Sequence, residues 1–174
     1  LNLLGLHNFE NVMAALHALA YGVSLEEIRY ALLRFHAVEH RIEYVTEKNG
    51  VAFYNDSKGT NPDAAIKGIQ AMNRPTWLIG GGYDKVLYEE WIRAFDGKVK
   101  GLVLLGATKE KIAEAAAACG FEPVYFVNSL QGGSGNSVLP MPEAERPVLL
   151  SPALCKLDMF PSYEVRGKQF KEFV

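Results

Sequence analysis

The densest set of chemistry-bearing residues in the chain is Tyr54-Asn55-Asp56-Ser57-Lys58-Gly59-Thr60-Asn61-Pro62. It gathers an ammonium, a carboxylate, hydroxyls and amides in a run of small residues, more functional groups than a turn needs. β-Rich residues precede it, and Pro62 suits the first position of a helix that follows it. A loop leading into a helix N-terminus offers backbone N–H groups and the positive end of the helix dipole to an anion. Lys58 and Thr60 can there hold a carboxylate or phosphate, and Asp56 can orient a ribose or a metal-bound water. An ordinary polar connection between strand and helix is the competing reading.

Four other clusters join it. Ile79-Gly80-Gly81-Gly82-Tyr83-Asp84-Lys85 combines glycines, which let a ligand approach the backbone, with a cation at Lys85. It follows neither G-x-G-x-x-G nor G-x-x-x-x-G-K-[ST], so it reads as one wall of an anion pocket and not as a nucleotide fingerprint. Leu149 to Phe160 is a third strand-end loop, carrying Lys156 and followed by Tyr163 to Phe170. Gly5-Leu6-His7-Asn8-Phe9-Glu10-Asn11 puts Asn8 and Asn11 at the mouth of a helix, where amides can meet an adenine edge or a nucleotide hydroxyl. On spacing alone, helix capping by Asn8 is the simpler account. Arg41, in Glu39-His40-Arg41, suits a forked contact with phosphate or a surface ion pair. No Ser-His-Asp order is present, Cys155 has no evident base, and no His/Cys set has zinc spacing.

The elements that must position these groups are legible from periodicity. Apolar spacing predicts a helix over Phe9–Tyr21 stopped by Gly22, and the Ser24/Glu27 capping box opens a second helix with Leu25, Ile28, Leu32 and Phe35 as its buried face. Residues 42–46 and 51–54 read as strands joined by a turn at Lys48-Asn49-Gly50. After the helix from Pro62 to about Met72, strands at 76–79, 102–105, 124–127 and 148–150 alternate with helices near 87–96, 108–118 and from Glu164. This implies an α/β fold: a Rossmann-like, mostly parallel sheet with flanking helices, preceded by two helices. Ligands on such sheets bind outside the carboxyl ends of the strands, here the loops after Tyr54, Ile79 and Leu150. Gln131 to Ser137 resembles a flexible linker, with prolines at 140, 142 and 147, so residues 131–146 are expected to be irregular where the alternation calls for a helix.

Composition bounds the rest. At 174 residues, 49% hydrophobic and 22% charged, the chain has the make-up of a globular domain with part of a second. A net charge of -2 offers no basic excess for nucleic acid or for a membrane surface, and no apolar run is long enough to span a bilayer. Leu1-Asn2-Leu3-Leu4-Gly5 has neither an initiator Met nor the features of a signal peptide, so a start within a longer protein is expected. Cys119 and Cys155, the only cysteines, are too few for a disulfide scaffold and fit a cytoplasmic location.

Together these stretches resemble the Mur ligase family, in the branch that adds D-glutamate to a peptidoglycan precursor. The family pattern G-x-H-N-x-x-N, H-R-x-E, N-D-S-K-x-T-N, G-G-x-D-K, L-L-S-P-A…D-x-F…R-G occurs here in order along nearly the whole chain. The resemblance implies that residues 1–37 end a central ATP-binding domain and that 38–174 form a C-terminal Rossmann-like ligase domain. It implies ATP, magnesium and UDP-N-acetylmuramoyl-L-alanine as partners of the full-length enzyme, with the P-loop and metal ligands upstream and nothing tightly bound to this segment. By motif position Asn8, Asn11, Arg41 and Asp56 would touch the nucleotide, and Lys58, Thr60, Lys85, Lys156 and Tyr163 would hold D-glutamate. Lys156 stands where the family has a serine. A Rossmann-like module that binds a nucleotide or dicarboxylate without catalysis is the alternative.

Overall fold

Asn49 and Gly50 take φ of 52° and 80°, and this left-handed pair turns the first strand straight into the second, with Lys48 facing Val51. The hairpin they close is the start of the domain's sheet. The computed structural model describes residues 4–36, 38–81, 88–131, 146–153 and 159–174. In chain order the elements are α1 (Leu6–Ala15), a 3-10 continuation (Leu16–Tyr21), α2 (Leu25–Arg34), β1 (Glu43–Lys48), β2 (Val51–Asn55), α3 (Pro62–Ala71) and β3 (Thr76–Gly80). They continue with α4 (Tyr88–Arg93), β4 (Val99–Leu104), α5 (Lys109–Ala118), β5 (Val124–Phe126), β6 (Val148–Leu150) and α6 (Tyr163–Phe173). The linker-like stretch at 132–145 lies outside the described residues.

Among the described residues the sheet has six strands in the order β1-β2-β6-β3-β4-β5, parallel throughout except for the β1–β2 hairpin. This is the mostly parallel α/β arrangement that the alternation predicts. The inner strands are apolar on both faces because helices cover both. Leu78, Leu102 and Leu149 meet Ile69 of α3, Trp91 of α4 and Ile112 of α5, whereas Trp77, Ile79, Val103 and Leu150 pack with Phe170 of α6. β6 comes late in the chain yet inserts between β2 and β3. That insertion sets the loops after β2, β6 and β3 side by side. Helix α4 is shorter than its pattern suggests, since Asp96 and Gly97 adopt φ of 45° and 71° and turn the chain toward β4.

The N-terminal helices depart from expectation in three ways. Helix α1 begins at Leu6, and its cap is Gly5 at φ 93° with no side-chain bond. Asn8 therefore does not cap it: the residue lies in the first turn and donates its amide back to the Leu4 carbonyl at 2.7 Å. The following stretch tightens to 3-10 geometry before Gly22 ends it in the left-handed conformation. In α2 the capping box forms, with Ser24 and Glu27 exchanging backbone-to-side-chain bonds of 2.8 and 3.3 Å. Its apolar stripe, however, is only partly buried: Ile28 is 8% exposed, but Leu25 is 64% and Phe35 50% exposed.

A test of the strand-end geometry lies at Gly81, where φ is 122° and a Cβ would stand 2.0 Å from the Leu105 carbonyl oxygen. Backbone cannot move aside as a flexible side chain can. Gly81→Ala is expected to lower stability by about 2–4 kcal/mol through backbone strain and overpacking. Urea unfolding measures this, and a loss below about 0.5 kcal/mol, the range of a bland surface change, would contradict the geometry.

Candidate functional site

Backbone hydrogen bonds continue past the strand ends and tie the loops together. Asp56 N–H donates to Leu150 O at 2.7 Å, Ser151 N–H to Ile79 O at 3.1 Å, and Ala153 N–H to Gly59 O at 2.9 Å. The loops after β2, β6 and β3 are thus one stitched surface. Asn61 caps α3 by accepting from Ala64 N–H at 2.8 Å, with Pro62 at the first helical position.

Asp56 sits at the centre of the stitching and is only 3% exposed. One carboxylate oxygen accepts from the Ser151 hydroxyl at 2.7 Å, the other from Ile42 N–H at 3.3 Å. Neighbouring backbone comes close enough that a Cβ on Gly59 or Gly68 would lie 2.5 or 2.7 Å from the carboxylate. Burial pushes its pKa up to about 7; the two hydrogen bonds and the nearby charges of Arg41 and Arg166 pull the other way without cancelling it.

Beside it lies a second buried polar group. His40, Asn55, Ser57 and Arg166 are all buried. Asn55 Nδ2 lies 2.9 Å from His40 Nδ1, 3.2 Å from Glu43 Oε2 and 3.3 Å from Gly167 O. Glu43 also accepts from His40 N–H at 2.9 Å and from the Lys171 ammonium at 3.1 Å. His40 and Ile42 take φ of 65° and 46°, which turns His40 inward while Arg41 between them stays exposed. Within H-R-x-E, then, His40 and Glu43 brace the loop and Arg41 faces outward. A Cβ on Gly167 would collide with the His40 ring at 2.2 Å, so the close approach of α6 needs glycine there.

The outward groups border open space. A cleft of about 320 Å³ is lined by His7, Arg41, Asp56, Lys58, Gly59, Asp63 and Lys67. It adjoins one of about 610 Å³ between the N-terminal helices and the sheet, which shares His7, Arg41, Ile42 and Lys58 and adds Asn8, Asn11 and apolar side chains such as Val12 and Phe35. Burial, then Lys67 and Arg41, holds the His7 pKa below the ordinary histidine value. Asn11 donates to the Asn8 side-chain oxygen at 3.3 Å. The Lys58 ammonium is 5.8 Å from the centroid of the Tyr163 ring, within cation–π range. Thr60 is half-buried and lines neither cleft; its N–H folds back onto Lys58 O at 2.8 Å. Lys85 and Lys156 lie outside the described residues.

The structure therefore brings Asn8, Asn11, Arg41, Asp56 and Lys58 around adjoining clefts and sets Tyr163 against Lys58. It adds residues for which sequence reasoning assigned no role: His40, Asn55, Ser57, Ser151, Arg166 and Lys67. All but Lys67 lie within stretches already singled out by motif, so proximity to the motif was the available signal. For Lys67 none existed beyond its position one helical turn into α3. Among the described residues no group of three or more His, Cys, Asp or Glu is placed to hold a metal ion. Nor is any helix among them long and apolar enough to cross a membrane.

A mostly parallel sheet with a cleft beside its strand ends, lined by Lys58 of the loop after β2, Arg41 ahead of β1 and Lys67 of α3 together with Asp56 and Asp63, is an α/β domain of the kind that places ligands at that edge. The chain belongs to the family described as "Mur ligase, glutamate ligase domain", whose profile matches residues 40–153. It is 53% identical to the UDP-N-acetylmuramoylalanine–D-glutamate ligase of Lachnoclostridium phytofermentans, over 100% of this chain and 38% of that protein. It is 48% identical to the enzyme of the same name from Lachnospira eligens, over 100% of this chain and 39% of that one. The chain thus spans well under half the length of these relatives. Among solved structures, the UDP-N-acetylmuramate–alanine ligase of Thermotoga maritima shares the fold with a TM-score of 0.70 at 17% identity, over 98% of this chain and 38% of that one. The folylpolyglutamate synthase of the same organism does so with a TM-score of 0.62 at 21% identity, over 97% and 38%.

The raised pKa of Asp56 yields a signed expectation. Because the folded-state value of about 7 lies above the ordinary 3.8, the folded protein holds this proton more tightly than the unfolded chain. The contribution of Asp56 to stability is full at low pH and is lost as pH rises through the folded value, by a few kcal/mol at most. Asp56→Asn keeps an acceptor for Ser151 and should flatten this part of the pH profile. Carbon-13 NMR titration of the Asp56 carboxyl is expected to show a midpoint well above that of an exposed aspartate; an ordinary midpoint near 4 would refute it.

Proposed function

We propose that this chain is the C-terminal part of an ATP-dependent, cytoplasmic ligase that joins D-glutamate to UDP-N-acetylmuramoyl-L-alanine in peptidoglycan synthesis. The names of its relatives support the reading, and one observation carries it. Lys58 stands on a loop stitched to three strand ends, opposite Tyr163, at the junction of both clefts. A dicarboxylate needs a fixed cation there to offset its desolvation. In this reading residues 1–37 close the central ATP-binding domain and 38–174 form the ligase domain. Lys58, Thr60, Lys85, Lys156 and Tyr163 hold D-glutamate, whereas Asn8, Asn11, Arg41 and Asp56 face the nucleotide.

The chemistry assigned to the whole enzyme is transfer of the ATP γ-phosphoryl to the precursor's alanine carboxylate, followed by attack of the D-glutamate amine on the acyl phosphate and loss of phosphate. The part of this chain is to orient that amine and to exclude water when the domains close. Arg41 suits the donor set of a polyphosphate and stands at the cleft. Magnesium would be held by residues upstream, together with the phosphate cradle that phosphoryl transfer requires.

Two outcomes are expected. The 174-residue chain alone should show neither magnesium-dependent ATP hydrolysis nor amide formation, and turnover by rigorously purified protein would overturn that. Calorimetric titration should detect D-glutamate binding that Lys58→Ala weakens by roughly 10- to 100-fold, the weight of a charge-assisted hydrogen bond. Absence of binding, or equal binding by both forms, would refute the assignment.

A further inference from the structure

Arg166 is 2% exposed, although α6 already anchors itself on the sheet through Phe170. Its Nε donates to the Ser57 hydroxyl oxygen at 2.9 Å, and a terminal guanidinium nitrogen donates to the Ser57 carbonyl at 2.7 Å. The same hydroxyl donates onward to the Tyr163 carbonyl at 2.7 Å. One buried serine is thereby gripped from two sides, and the residues flanking the grip are the ones facing the cleft. Ser57 precedes Lys58 directly; Tyr163 stands one turn before Arg166 on α6.

We propose that Ser57 and Arg166 form a lock that sets Lys58 and Tyr163 against each other, making Arg166 a positioning residue for the anionic substrate. The proposal rests on the D-glutamate reading above for the identity of that substrate. Burying a guanidinium is unfavourable relative to an apolar side chain of similar size, so packing alone would be better served by leucine or methionine. What arginine adds is a planar fork whose donors meet two oxygens of one residue at a fixed angle. The Ser57 carbonyl belongs to the peptide that joins Ser57 to Lys58, so fixing it fixes the plane from which the Lys58 side chain departs. On the other side Lys58 N–H is held by the His40 carbonyl at 3.0 Å. With this backbone fixed, the ammonium searches only its own rotamers, and ligand binding has less entropy to overcome. Tyr163 gains in parallel, since its carbonyl is an acceptor in the same chain of bonds.

The guanidinium also lies close enough to Asp56 to favour its charged form. Arg166→Lys separates the two roles, because it keeps the positive charge and loses the fork. Ser57→Ala is the second variant; it removes the shared hydroxyl, leaves the guanidinium in place and is the milder change should Arg166→Lys fold poorly. Two measurements on the 174-residue chain decide the matter. In amide hydrogen exchange, Lys58 and Gly59 should exchange about tenfold faster in both variants, one ordinary hydrogen bond's worth, while amides of β4 stay at their original rates. In calorimetry, affinity for D-glutamate should fall about tenfold in each, with no rescue by the retained charge of lysine. Unchanged exchange at Lys58 and Gly59 in the folded variants overturns the lock. A lowered unfolding temperature with unchanged affinity of the folded protein also overturns it, since that is the signature of a purely structural residue. If the unsubstituted chain binds no D-glutamate, the functional reading falls, and the exchange rates still decide whether the lock exists.

Discussion

Ser151 donates its hydroxyl hydrogen to Asp56 across 2.7 Å, and both residues are buried. The bond joins the loop after β6 to the loop after β2, and through Ile42 N–H the same carboxylate reaches the segment that leads into β1. A buried carboxylate is tolerable only if its oxygens are satisfied, and here the two partners come from two separate parts of the chain, each distant from Asp56 in sequence. The requirement runs both ways. To satisfy Asp56, β6 must lie between β2 and β3, Gly59 and Gly68 must approach without side chains, and the backbone at Ile42 must take a positive φ. Each is a local cost accepted because the carboxylate over-determines the surroundings.

From that junction the polar residues separate into two kinds. Those that hold the loops face inward and are well supplied with partners: Asp56, Asn55, Ser57, His40 and Arg166. Those that can meet a ligand face the clefts: Arg41, Lys58 and Lys67. The division follows from electrostatics. A cation waiting for an anion must stay hydrated when the site is empty, so it cannot be buried with the bracing groups. Its geometry must nevertheless be set in advance, so the bracing lies in the residues adjacent to it in the chain. The alternation Asn55, Asp56, Ser57 inward and Lys58 outward, and His40 inward with Arg41 outward, expresses that compromise along two short segments.

Much of this was legible in the residues themselves. The hairpin at Asn49-Gly50, the proline start of α3 and the apolar runs of β3, β4 and β6 are local signals, and local signals survive folding. The convergence of three loops followed from the topology rule for parallel sheets. Other features depended on partners far away in sequence. That Asp56 would be enclosed, not displayed, turns on Ser151, ninety-five positions along the chain. That Arg166 would grip Ser57 turns on how closely α6 docks, which Gly167 permits and no periodicity announces. The stripe on α2 failed for the opposite reason: amphipathic spacing marks a face that wants covering, and it cannot say whether the described chain contains the cover.

The enclosed state of Asp56 alters what its motif position means. A carboxylate whose oxygens already accept from Ser151 and Ile42 can reach a ribose hydroxyl only with spare lone pairs, at the rim of the smaller cleft that it lines. Its weight therefore falls first on loop geometry and second on any nucleotide. Arg41 is placed the other way about, exposed on a backbone kink whose flanking residues are buried, with its side chain lining both clefts. Asp56, enclosed and doubly hydrogen-bonded, forms part of the wall of the smaller cleft, whereas the exposed side chain of Arg41 borders both clefts. A braced wall beside a long, flexible cation is the arrangement that admitting a charged ligand from water and holding it in one orientation would call for.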